Sequence, residues 1–238
     1  MGSQIKLGDI PVEVVLKDIK NVHLGVHPPT GRVRISAPKR MSLATIRIFA
    51  ISKLDWIKRQ QTKLREQERE APREYLDRES HYFWGKRYLL AVRESDAPPS
   101  IELTHSRMLL RIRRGTDEDK RRELVEAWYR DQLRAAVPSL LARWQPLLGV
   151  SVRRFFVQRM KTKWGSCNQK ARTIRLNTEL AKKPPECLEY IIVHELVHLL
   201  ERTHNDRFLA LMDRFMPKWK FHRQILNRLP VRREKWIY

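Results

Sequence analysis

His194, Glu195, His198 and His204 stand together in the stretch Tyr190 to His204, and no other feature restricts this chain as much. Two histidines four residues apart on a helix project from one face, about a turn apart, so both imidazoles can reach a single tetrahedral ion. Glu195 points to one side of that face, where its carboxylate can take a proton from water without capping the ion. In a chain with 8 histidines a chance His-Glu-x-x-His arises about 0.02 times, and a further histidine at the sixth position lowers that to the order of 0.001. The pattern predicts one zinc ion per chain, with His194, His198 and His204 as ligands and Glu195 as base. Glu201, Asp213 and His222 are rival third ligands.

The helix that carries the motif has readable ends. Pro184 and Pro185 suit a first turn, where a missing N–H costs nothing, and Glu186 and Glu189 put negative charge near the positive end of the dipole. Leu188, Ile191, Ile192, Leu196 and Leu199 form an apolar stripe with the histidines at its margin. The spacing predicts a helix ending near Arg202, a bend at His204, and a new helix capped by Thr203 or Asn205 that runs through Phe208, Leu211, Met212 and Phe215.

Upstream, Val22, Leu24 and Val26, then Val33 and Ile35, alternate with polar residues around Pro28-Pro29-Thr30-Gly31, the pattern of a β-hairpin. Ser42 is placed to cap one helix through Ile46, Phe49, Leu54, Ile57 and Leu64, and the charged stretch Arg65 to Arg73 reads as its end or a linker. The region Tyr82 to Ile112 predicts three short strands. Asp117 to Leu148 has helical spacing, with Pro138 as a bend and Gly149 as a stop. Ser151 to Met160 and Thr173 to Leu176 read as strands joined through Trp164 to Lys170, and Asp206 to Leu229 as helix interrupted at Pro217. No internal repeat is visible.

The 238 residues are 42% hydrophobic and 32% charged, an ordinary composition for a soluble protein. The chain lacks an apolar run of about 18 residues and a signal-peptide core, which predicts a soluble cytoplasmic protein with no membrane partner. Cys167 and Cys187 are too few for a disulfide framework and read as reduced thiols. The net charge of +22 implies attraction to polyanions, but the basic residues are dispersed. Weak, non-specific nucleic-acid binding is the corresponding expectation.

Arg159 to Cys167, with Trp164-Gly165-Ser166-Cys167 at its end, then Ile174-Arg175-Leu176-Asn177, His194 to His204 and Phe208, resemble the YgjP-like metallopeptidase family, related to SprT-like and minimal zincin peptidases. The resemblance spans nearly everything from the Val33 to Pro38 strand through Trp219. It implies an α+β, zincin-like catalytic domain in which a small sheet lies over the active-site helix, with His194, His198 and His204 on zinc and Glu195 as catalytic base. Residues 117–238 are the expected hydrolase domain, and 1–116 a β-rich region with one helix. Metzincins share the histidine spacing but need glycine where this chain has Glu201.

The expected reaction is hydrolysis of a peptide or protein substrate by zinc-activated water. Tyr190, Tyr129, His222 and several arginines are candidates to steady the oxyanion. If Thr173 to Leu176 is an edge strand, it can hold an extended peptide, with Thr173 and Ile174 in contact and Trp164 and Gly165 shaping the floor. Two other functions fit the charge: hydrolysis of a nucleotide or phosphate ester, and a basic DNA-associated protease or binding module.

Overall fold

The computed structural model describes residues 3–27, 30–66, 69–70, 74–160, 163–228 and 231–232. Its contacts divide the chain into two compact units, Met1–Ala71 with Pro230–Tyr238, and Pro72–Leu229.

In the first unit β1 (Ser3–Leu7), β2 (Ile10–Lys17), β3 (His23–His27) and β4 (Arg32–Pro38) form a sheet of order β1-β2-β4-β3. The expected hairpin is β3 and β4, antiparallel with Leu24 opposite Ile35 and Val26 opposite Val33; Pro28 and Pro29 of its turn lie outside the described residues. Helix α1 (Leu43–Ser52) starts where Ser42 accepts a hydrogen bond from the Thr45 N–H. The single helix predicted here is two, because the Lys53 N–H turns back to the Ala50 and Ile51 carbonyls before α2 (Leu54–Glu66) begins. Val12, Val14, Val33, Ile35 and Ala37 from the sheet and Ile46, Ala50 and Ile57 from the helices make a closed apolar core. A two-residue strand β5 (Arg69–Glu70) pairs in parallel with β13 (Val231–Arg232); the remainder of the predicted linker, 67–68 and 71–73, is outside the described residues.

The second unit opens with β6 (Ser80–Phe83), β7 (Lys86–Glu94), β8 (Ser100–Leu103) and β9 (Arg107–Ile112), in the order β6-β7-β9-β8. Three strands were expected and four are present, because Trp84 and Gly85, at φ 47° and 77°, make a turn inside the aromatic run. Helix α3 (Glu118–Leu148) is capped by Asp117, which accepts from the Lys120 N–H, and stopped by Gly149 in the left-handed conformation. Leu90, Met108 and Leu110 of the sheet share one core with Leu133 and Val137 of α3 and with the motif helix. Residues on both sides of 116 share that core, and the contacts separate the chain at 71/72.

A second small sheet follows, β10 (Arg154–Gln158), β11 (Gly165–Asn168) and β12 (Thr173–Asn177), in the order β10-β12-β11. Next come a 3-10 turn (Thr178–Lys182), α4 (Pro185–Val197), α5 (Asp206–Phe215) and α6 (Trp219–Arg228). The architecture is therefore α+β, as expected. No helix among the described residues is long and apolar enough to cross a membrane.

Candidate metal centre

Helix α4 begins at Pro185, as its sequence predicts, but it is buried nearly all round, including Cys187, Leu188, Tyr190, Ile191, Ile192, Val193, Glu195, Leu196 and Val197. The helix ends at Val197 rather than near Arg202, because the Leu199 and Leu200 N–H groups bond the Leu196 and Val197 carbonyls in tight turns. His198 is its C-cap. Its Nδ1 lies 3.0 Å from the Glu201 carbonyl oxygen, which can only accept, so Nδ1 carries the proton and Nε2 presents its lone pair. The Gln169 amide donates to the His198 carbonyl and ties the β11 end of the sheet to this turn.

His204 lies in the bend before α5, where Asn205 accepts from the Phe208 N–H and starts the helix. The Phe208 ring, 1% exposed, packs against the rings of His194, His198 and His204 at centroid distances of 5.0, 4.7 and 4.7 Å. One nitrogen from each of these histidines falls within 4.8 Å of the others, and His204 Nε2 is 3.0 Å from His194 Nε2. Tetrahedral zinc holds nitrogens about 3.4 Å apart, so the triad suits such an ion. Burial, then the neighbouring imidazoles and Arg223, push His194 down to about 3, which leaves it a neutral lone-pair donor. Two of the rivals are occupied elsewhere, Glu201 accepting from the Thr203 N–H and Asp213 from the Trp219 indole at 2.7 Å, and the third, His222, is neither in the converging group nor in the lining of the cleft around it.

Glu195 is 4% exposed, and its Oε2 has no hydrogen-bond partner among the described residues. Burial pushes its carboxyl up to about 8, against the smaller pull of Lys163. It fits because residue 165 is glycine: a Cβ there would lie 2.5 Å from Glu195 Oε1 and 2.9 Å from Ile191 Cγ2. An orphaned carboxylate beside three converging imidazoles is a donor set that fits a metal ion with water next to it.

The small sheet places its residues differently from expectation. β12 is the central strand, paired with β10 on one side and β11 on the other, so Thr173 and Ile174 are not on an edge, and neither lines the cleft. Ile174 is fully buried. The segment read as a loop, Trp164 to Lys170, contains the edge strand β11. The Asn177 N–H bonds the Trp164 carbonyl at 2.9 Å, so by antiparallel alternation Gly165 and Cys167 turn their N–H and C=O groups towards the unpaired edge. Trp164, Gly165, Tyr190, His194, Glu195, His198 and His204 all line an open cleft of about 880 Å³. Arg223 lines it too, whereas the Tyr129 hydroxyl is bonded to the Tyr82 carbonyl at 2.8 Å.

Sequence reasoning gave Gln169 and Asn177 no role. The Asn177 amide donates to the Met160 and Lys163 carbonyls at 2.8 and 2.9 Å, while its oxygen accepts from the Glu179 N–H and caps the 3-10 turn. An asparagine closing a strand just before a helical turn is a capping signal, and it marks the residue that pins the approach to β11.

The profile of the family described as "YgjP-like, metallopeptidase domain" matches residues 20–229. Among solved structures, the metallopeptidase zymogen abylysin of Pyrococcus abyssi aligns at 24% identity over 41% of this chain and 99% of its own, with a TM-score of 0.37. The zymogen jannalysin of Methanocaldococcus jannaschii aligns at 23% identity over 38% and 92%, with a TM-score of 0.34. No curated protein matches the chain.

Proposed function

The chain belongs to the YgjP-like metallopeptidase family, and on that premise we propose that it is a zinc-dependent peptidase with one ion per chain, held by His194, His198 and His204, and with Glu195 as general base. The observation that carries this reading is the convergence of three imidazole nitrogens within 4.8 Å beside a buried, unpartnered carboxylate. Bound zinc supplies a Lewis acid that polarises the scissile carbonyl and makes water acidic enough to attack near neutral pH.

The residues of the chain do the rest. In its ionised form Glu195 takes the proton of the attacking water and delivers it to the leaving amine. The absence of a side chain at Gly165 lets this carboxylate stand close beneath the strand. The unpaired edge of β11 can take an extended peptide as an added strand, through the N–H and C=O groups of Gly165 and Cys167. Tyr190, whose hydroxyl burial pushes up to about 12, stays a donor at any working pH, and it borders the cleft with Arg223 where an oxyanion would need stabilising.

Metal analysis with a casein assay, with and without chelator, tests the reading. One zinc per chain and chelator-sensitive cleavage are expected; a stable protein without metal, or cleavage indifferent to the chelator, would sink it.

A further inference from the structure

The cleft carries a one-sided charge pattern. Five cations line it: Lys163, Lys170 and Arg175 from the β11–β12 side, Arg202 after α4, and Arg223 on α6. The chain is basic throughout, so their number alone distinguishes little. What marks the cleft is how little acid lines it beside them. Among the described residues none of the five cleft cations has a carboxylate in an ion pair. Among the described residues the cleft's one acid is Glu195, which is buried.

Unpaired cations around a concavity with protein walls concentrate positive potential inside it. Lys163 and Arg223 line this cleft together with Glu195, His194 and His204. An extended substrate on the β11 edge would run between Lys163, just before the strand, and Lys170, just after it, with Arg202 and Arg223 among the residues lining the same cleft. Side chains of such a strand alternate between the two walls, so acidic residues on both sides of the scissile bond would meet a cation.

Resting on the peptidase reading above, we propose that the cleft selects acidic peptides, with Lys163, Lys170, Arg175, Arg202 and Arg223 supplying the missing counter-charges to aspartate and glutamate flanking the cleaved bond. A partly exposed ion pair is worth a factor of about 1.4 to 5, so two or three engaged pairs give a preference of roughly tenfold.

The test compares two peptides differing only in glutamate against glutamine at the flanking positions, cut by the zinc-loaded full chain. The readout is the ratio of their kcat/KM values, which cancels any loss of active protein in a variant. The acidic peptide should be favoured roughly tenfold at low salt, less as salt rises, and the ratio should fall to one or below in the double variant Lys170→Glu, Arg202→Glu. Equal cleavage of both peptides by wild type overturns the acidic selectivity and leaves the peptidase reading intact. If neither peptide is cut, the peptidase reading fails, and binding of the same labelled peptides to zinc-loaded Glu195→Gln decides the selectivity: preference for the acidic one supports it, equal binding overturns it. Hydrolysis of a nucleoside triphosphate, with neither peptide cut nor bound, would overturn both.

Discussion

A methyl group at Gly165 would meet Glu195 Oε1 at 2.5 Å and Ile191 Cγ2 at 2.9 Å, and the helix beneath is too well packed to withdraw. Gly165→Ala should therefore displace the carboxylate and lower kcat by roughly 10- to 100-fold, as a shift of about 1 Å in a catalytic group does, while zinc content stays at one per chain. Loss of zinc from this variant would mean the strand supports the ligands rather than the base. Glu195→Gln removes a base and no ligand, so it should abolish cleavage and keep zinc, whereas His204→Ala should lower zinc affinity and cleavage together. Equal metal loss in the two would make Glu195 a ligand. The four motif residues were legible because their spacing is itself the geometry. The support they need was not: Gln169 bonds the His198 carbonyl across 29 positions, and no local pattern records such a partner.

At the scale of elements, legibility followed local chemistry. The ends of α3 were readable because Asp117 and Gly149 are a side-chain cap and a left-handed stop. β11 was hidden because Gly165, Ser166, Cys167 and Asn168 have little intrinsic strand preference, and their extended form comes from the ladder with β12. The sequence left open whether β12 is an edge, since alternation cannot say on which side partners lie. Asn177 holds this arrangement together, being 5% exposed with its amide and carbonyl both engaged. Asn177→Ala would leave the Met160 and Lys163 carbonyls without these donors, so about 2 to 3 kcal/mol of stability should go, read as a lower urea midpoint at an unchanged slope. An unchanged midpoint would show that the approach to β11 is held by other contacts.

At the scale of the molecule, the sheet β1-β2-β4-β3 and the sheet β6-β7-β9-β8 share strand order and directions, each with its second and fourth strands parallel. The sequence shows no repeat, because such a topology asks only for apolar alternation and turns, which many sequences satisfy. Each sheet belongs to its own unit and closes its own core. The three candidate ligands lie in Pro72–Leu229, and none lies in the first unit. Anything that binds only the folded form stabilises it by mass action, about 2.7 kcal/mol at a hundred times Kd. A thermal scan of the full chain should accordingly show two transitions, one moved upward by zinc by roughly 5 to 10 °C and reversed by a chelator, the other indifferent to both. Ile35→Ala, which opens a cavity in the first core alone, should lower only the zinc-indifferent transition. A single transition that shifts as a whole with zinc, and falls as a whole with Ile35→Ala, would show that the two cores unfold together.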